Sequence, residues 1–192
     1  MQAQKAMPLI NEDEYLEMEQ QAKFRHEYVD GYIYAMTGGS RAHNKISGNL
    51  YAALHQQIKG TPCDVYMNDV KLKIAHKHSY YYPDLMLGCS RDEIDAYFLT
   101  QPCLVIEVLS PSTVRTDRRE KLIAYQSIAS LREYFLVSQR KQQVERYHRA
   151  DEAGLWHLTV YEKGDQVQFS CIDYQLGMDE IYAGVLGTAF ST

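Results

Sequence analysis

Three ionisable residues stand where folding alone would not put them. Asp84 closes the run Tyr80-Tyr81-Tyr82-Pro83, Glu107 interrupts the apolar run Leu104-Val105-Ile106-Glu107-Val108-Leu109, and Lys121 follows on a stretch with helical periodicity. A carboxylate inside an apolar strand is costly unless it is paired, hydrogen-bonded or bound to a metal. Hard divalent ions such as magnesium (Mg2+) or manganese (Mn2+) take oxygen ligands, commonly a few carboxylates completed by water and substrate phosphate. Such an ion acidifies a bound water and offsets the charge that develops on a phosphoryl oxygen. A lysine nearby orients that water or stabilises the transition state. Asp84, Glu107 and Lys121 together therefore predict a metal-dependent hydrolase, with the two acids holding the ion.

Each residue also has an ordinary reading. Asp84 could simply sit at a strand turn, Glu107 could form a buried ion pair with Lys121 or Arg118, and Lys121 could pair with Asp117 four residues earlier. The order of the three beside a strand-helix crossover is more specific than any one of them. Glu27 and His43 flank the first hairpin and the start of a long helix, and either could reach the same cleft, although a surface carboxylate and a capping histidine are simpler. Arg115, Arg118 and Arg119 form a basic cluster at a helix entry, suited equally to holding phosphate or to facing solvent. His76 and His78 read as solvent residues, and Asp69 and Lys71 as exposed charges on a twisted strand.

The elements that must position these groups follow from periodicity. Strand alternation puts Glu107 on the face of Val105 and Leu109, and Asp84 on that of Tyr82 and Met86, so neighbouring strands would let the acids converge. The strand over 80–87 contains Pro83 and is expected near an edge or bent there. Residues 103–109 read as a strand buried on both faces. Ser110-Pro111-Ser112-Thr113 offers cap hydroxyls and a first-turn proline to a helix over 114–129. That helix carries Leu122, Tyr125, Ile128 and Ala129 on one side, and a strand over 133–138 completes a right-handed crossover between parallel neighbours.

Upstream, Asn11 and Glu14 form a capping box for a helix over 11–21, Asp30-Gly31 marks a hairpin turn, and the spacing of Ile46, Leu50, Ala53, Leu54 and Ile58 predicts a helix over 41–59. Residues 63–75 read as one strand with an irregularity near Asn68-Asp69, and 89–102 as a charged, irregular connection. Downstream, 143–147, 155–161 and 166–170 read as a meander, with turns at 151–154 and 163–165 and a closing helix near 178–183. The 192 residues, 45% hydrophobic, predict a single α/β domain over 1–192 with a flexible tail at 1–8.

The net charge of −5 argues against a protein that coats nucleic acid without specificity, while leaving room for a locally basic groove. Cys63, Cys89, Cys103 and Cys171 show no CxxC pair and no zinc-like spacing, so the expectation is four reduced thiols, with neither a disulfide framework nor a metal knuckle. The N-terminus has no apolar core, and no apolar run approaches about eighteen residues, which predicts a soluble, cytoplasmic protein without membrane contact. Sixteen tyrosines and the exposed-looking meander would also suit a homodimer.

The residues Glu27-Tyr28-Val29-Asp30-Gly31 with Ile33-Tyr34-Ala35-Met36, then His43-Asn44, Tyr82-Pro83-Asp84 and Glu107-Val108-Leu109-Ser110-Pro111-Ser112-Thr113, carry a resemblance that extends over almost the whole chain. Asp117, Lys121, Tyr125 and Glu133-Tyr134-Phe135-Leu136-Val137 continue it in order. The chain resembles the restriction-endonuclease-like PD-(D/E)xK superfamily, and within it a bacterial family of small endonuclease-like proteins long catalogued as a domain of unknown function. The resemblance implies an α/β restriction-endonuclease-like core, a mixed central β-sheet flanked by helices, here with an added C-terminal β-meander. It also implies magnesium on Asp84 and Glu107, with the backbone carbonyl of Val108 as a further ligand, and hydrolysis of phosphodiester bonds in nucleic acid, DNA foremost. The superfamily's lysine lies two residues after the glutamate, where this chain has Leu109. In the small family it has moved to the following helix, matching Lys121, which shares a face with Asp117 and Tyr125. The departure at Leu109 keeps a second reading open, a nuclease-fold binding or regulatory module without useful catalysis.

Overall fold

A computed structural model describes residues 9–92, 95–149 and 154–185, so the tail at 1–8 and most of the turn at 151–154 lie outside the described residues. The Asn11 side chain accepts the Glu14 N–H and the Glu14 side chain accepts the Asn11 N–H, and this capping box starts α1 (Glu12–Gln21). β1 (His26–Val29) and β2 (Tyr32–Ala35) are joined through Asp30 and Gly31, whose φ values of 45° and 90° are those of a two-residue turn matched to strand twist. α2 (Arg41–Gln57) is capped by Ser40 and buries Ile46, Leu50 and Leu54.

The segment 63–75 is two strands rather than one. β3 (Asp64–Met67) and β4 (Lys71–Ile74) are separated by a turn at the irregularity near Asn68-Asp69, and they lie in different sheets. The aromatic segment divides in the same way into β5 (Ser79–Tyr81) and β6 (Leu85–Gly88), with Tyr82-Pro83-Asp84 between them. β7 (Phe98–Leu99) is a short strand inside the connection expected to be irregular, and β8 (Leu104–Leu109) is buried at every position. The expected long helix is broken into α3 (Val114–Thr116), a π-helical turn over Asp117–Lys121 and α4 (Leu122–Gln126). β9 (Glu133–Ser138), β10 (Gln143–Arg149) and β11 (Trp156–Glu162) follow.

Five strands form one sheet in the order β2-β1-β5-β4-β7, and six form another in the order β11-β10-β9-β8-β6-β3. In the larger sheet β8 and β9 run parallel and the other pairs antiparallel, giving the mixed sheet that the resemblance implies and the parallel neighbours that the periodicity predicts. Pro83 bends the chain as expected, but neither β5 nor β6 is an edge strand. A proline has no N–H to give a ladder, and the chain meets this by leaving one sheet and entering the other at that point. β9, β10 and β11 pair antiparallel in succession, so the expected meander extends the larger sheet as far as β11. β12 (Gln166–Phe169) leaves it to pair with β13 (Tyr174–Gly177) around a tight turn at Ser170–Ile172, and α5 (Met178–Ile181) follows.

Alternation along β8 divides the core. Leu104, Ile106 and Val108 pack with Ile46 and Leu50 of α2 and with Phe169 of the last hairpin. Val105 and Leu109 pack with Tyr125 of α4 and with Leu72 and Tyr81 of the five-stranded sheet. The other face of that smaller sheet is covered by α1, where the Tyr15 and Tyr28 rings stack at 4.9 Å and Tyr80 completes the cluster. Among the described residues no helix is long and apolar enough to cross a membrane.

The cysteines correct the expectation of reduced thiols, since Cys63 is bonded to Cys89 and Cys103 to Cys171. Linear spacing could not reveal these pairs because strand register creates them. Asp64 pairs with Gly88 across β3 and β6, which sets the flanking Cys63 and Cys89 opposite each other. Cys103 precedes β8, and the N–H groups of Ser170 and Cys171 donate to Glu133 on the neighbouring β9.

Candidate active site

Glu107 lies on the β8 face that looks toward the 114–126 helix and the smaller sheet, and it is 4% exposed. An ionised carboxylate there needs partners, and two are present. Lys121 Nζ lies 3.0 Å from Glu107 Oε1, and Tyr125 donates its hydroxyl hydrogen to the same oxygen at 3.0 Å. The ammonium also lies 2.8 Å from Glu27 Oε1 and 3.6 Å from Asp117 Oδ1. Glu27 comes from β1 in the smaller sheet, Glu107 from the larger, and Asp117 and Lys121 from the π-helical turn, so three layers meet at one ammonium.

Asp84 reaches the cluster by register. Leu85 pairs with Ile106, and one further step along the two strands sets Asp84 across from Glu107. Its Oδ2 accepts the Val108 N–H at 2.7 Å and the His43 Nε2 hydrogen at 3.0 Å. Glu27 Oε1 accepts the Tyr82 N–H at 3.3 Å and so fixes the segment that carries Asp84. Aromatic rings wall the cluster, with the ammonium 5.7 Å from the Tyr81 ring and the Tyr134 hydroxyl donating to the Asp117 carbonyl at 3.0 Å.

Burial pushes the Glu107 carboxyl well above the usual carboxylate range; Lys121 opposes this, and Asp117, Asp84 and Glu27 add to it. Burial raises Asp117 as well, against Lys121 and a hydrogen bond from Thr113. For Lys121 burial works toward neutrality, yet the fields of Glu107, Glu27 and Asp117 hold the ammonium well above the ordinary lysine range. Burial likewise lowers His43, but the hydrogen bond and charge of Asp84, with Asp117 behind it, outweigh that and raise the imidazole. Four carboxylates thus face one lysine and one histidine. Asp117 Oδ1 is buried with no hydrogen-bond partner among the described residues. Hard oxygen donors, surplus negative charge and an orphaned carboxylate oxygen fit a hard divalent cation.

These shifts carry a prediction. A carboxyl raised by folding keeps a proton that the unfolded chain has released, so its stabilising contribution is full below the unfolded value of about 4 and is lost as pH rises through the folded value. In metal-free protein, wild type therefore loses thermal stability relative to Glu107→Gln between about pH 5 and about pH 8. Melting curves of both proteins across that range check it, and a constant difference would count against the assignment.

The structure brings together Glu27, His43, Asp84, Glu107, Asp117, Lys121 and Tyr125. Glu27 is not the surface carboxylate that its position suggested; Tyr28 faces α1, so alternation turns Glu27 toward the helix, a signal present in the strand pattern. His43 is not the cap, which is Ser40 accepting its backbone N–H, and its ring turns to Asp84 in the cleft. Val108 enters through its amide. Arg118 is turned away, with Nη2 donating to Glu145 Oε1 of β10 at 2.7 Å, while Arg115 and Arg119 are exposed. The walls supplied by Tyr81 and Tyr134 had no signal in the sequence beyond their apolar patterning.

Residues 12–178 match the family described as "Uma2: Putative restriction endonuclease". Two uncharacterized proteins of Synechocystis are similar along nearly their full lengths. One is 37% identical over 93% of this chain and 94% of its own length, the other 31% identical over 84% and 93%. A crystal structure of a protein from Anabaena variabilis, described as a putative nuclease belonging to DUF820, superposes with a TM-score of 0.75 over 92% of this chain and 99% of that one. At 18% identity this likeness concerns the fold.

Proposed function

Since this chain belongs to the Uma2 family of restriction-endonuclease-like proteins, we propose that it is a metal-dependent nuclease that hydrolyses phosphodiester bonds of DNA at the cluster of Asp84, Glu107 and Lys121. The observation that carries the reading is the convergence of Glu27, Glu107 and Asp117 on the single buried ammonium of Lys121, with Asp84 across from Glu107. Folding gains little from gathering so many acids in one place, whereas a cation site requires it.

Asp84 and Glu107 would hold magnesium or manganese, with the Val108 carbonyl as a further ligand. A bound ion of this kind supplies Lewis acidity toward a water molecule and neutralises charge on the phosphoryl group. His43 and the Val108 N–H orient the Asp84 carboxylate through Oδ2, and Tyr125 orients Glu107 through Oε1. Lys121 has three N–H donors. Glu27 and Glu107 engage two of them and leave the third for a water or a phosphoryl oxygen. Arg115 and Arg119, exposed at the entry of the same helix, would meet the phosphates of the substrate.

The test is cleavage of supercoiled plasmid, single-stranded DNA and RNA with magnesium or manganese. Expected is cleavage that a chelator abolishes and that falls about 10²-fold or more in Asp84→Asn and Glu107→Gln. Cleavage unaffected by these substitutions would refute the assignment. A binding module without catalysis is favoured by one observation, the close pairing of Lys121 with two carboxylates, and it predicts nucleic-acid binding with no turnover under any of these conditions.

A further inference from the structure

The four cysteines come from four separate stretches of chain, yet they occupy one place. Cys63 precedes β3, Cys89 follows β6, Cys103 precedes β8, and Cys171 lies in the tight turn between β12 and β13. The Sγ atoms of Cys89, Cys103 and Cys171 all lie within 4.8 Å of one another, although Cys89 is bonded to Cys63 and not to either of them. Two disulfides that served only to join strands would have no reason to lie side by side. All four residues are half-buried, and Cys89, Cys103 and Cys171 lie at the wall of a groove of about 400 Å³ that Arg132 also lines.

The backbone holds this arrangement without help from the sulfurs. Cys103 donates its N–H to the Leu87 carbonyl at 2.8 Å and accepts the Arg132 N–H at 2.9 Å. The Cys171 N–H is held by Glu133 Oε2 at 2.8 Å, and Glu133 is itself buried against Arg146. The Cys63 N–H donates to Thr61 Oγ1 at 3.2 Å. β3 and β6 fix the spacing between Cys63 and Cys89 through the Asp64–Gly88 pair. The thiols therefore stay gathered when they are not bonded to each other.

We propose that in the thiol form Cys63, Cys89, Cys103 and Cys171 make a closed tetrahedral thiolate site for one zinc ion. A Zn–S bond of about 2.3 Å places the four sulfurs of such a site about 3.8 Å apart; Cys89, Cys103 and Cys171 already lie within 4.8 Å of one another, and Cys63, bonded to Cys89, completes the set. Four thiolates outweigh the two positive charges of the ion, and Arg132 at the groove wall balances part of the surplus. Each thiol gives its proton to solvent as it binds, so the binding step needs no oxidant or reductant. Cys103 stands at the opposite end of β8 from Glu107, which makes this site independent of the carboxylate cluster. With all four positions filled by protein it joins segments and leaves no coordination position for a substrate.

The experiment uses the full chain. A phosphine first reduces it, each disulfide taking up two electrons and two protons while the phosphine becomes its oxide. A chelator then strips it, and it is titrated without oxygen with cobalt(II). Expected is an intense near-ultraviolet thiolate-to-cobalt band with the visible bands of tetrahedral cobalt, complete at one equivalent and bleached by one equivalent of zinc. A cation at the carboxylate cluster gives no such band because no sulfur lies there. Cys103→Ser and Cys171→Ser should shift and weaken the spectrum. Should those variants fail to fold, alkylation of reduced wild type read by mass spectrometry is the second measure, with zinc protecting all four thiols. Absence of the charge-transfer band in reduced wild type, a full band in Cys63→Ser, or alkylation of all four thiols unchanged by zinc would each overturn the proposal.

Discussion

Lys121→Met is expected to lower metal-dependent cleavage by about 10²–10³-fold, the usual effect of removing one preorganised charge from a reacting centre. The ammonium is the only positive group within reach of Glu27, Glu107 and Asp117 together among the described residues. Methionine fills a similar volume without charge, so the Tyr81 ring beside the ammonium has something to pack on. Manganese affinity measured by calorimetry should be unchanged or tighter, because a competing cation has gone. A fall in rate with affinity retained places Lys121 in the chemistry. A parallel fall in both would place it in holding the acids together, and an unchanged rate would remove it from the mechanism. The variant is also expected to melt lower at about pH 8 than at about pH 5, since the carboxylates left behind relieve their repulsion by taking up protons.

The second large effect concerns stability. Glu133 is 1% exposed and accepts Arg146 Nε at 2.7 Å, the Ser170 N–H at 3.0 Å and the Cys171 N–H at 2.8 Å. Glu133→Ala removes all three partners at once and leaves Arg146 as a buried charge whose remaining contacts are hydroxyl oxygens of Tyr161 and Ser170. Breaking a buried pair from one side costs about 3–5 kcal/mol. Urea denaturation should show the unfolding free energy falling by that amount, and replacing Arg146 by methionine in the same chain should recover part of it. A loss under about 1 kcal/mol would mean that water enters and solvates the arginine.

Glu107 could be read from the sequence because an acid within an apolar run admits few explanations, and the fold shows those explanations to be compatible: it is both paired with Lys121 and part of an acidic cluster. Asp84 could be read because strand alternation and antiparallel pairing are local rules. Three features could not. The division of 63–75 and 80–87 between two sheets depends on which strands later become available as neighbours. The π-helical turn at 117–121 depends on where Lys121 and Asp117 find partners, and helix propensity says nothing of a wide turn. The cysteine group depends on the register of β3 with β6 and on where the last hairpin meets β9, which spacing along the chain does not record.

The passage of the chain between sheets at 68–70 and again at 82–84 has a mechanical consequence. Glu27 moves with the smaller sheet and Glu107 with the larger, Asp84 rides on the joint between them, and Lys121 pins the two sides. A change in the angle between the sheets would therefore act first on the ammonium of Lys121, which touches Glu27 on one side and Glu107 on the other.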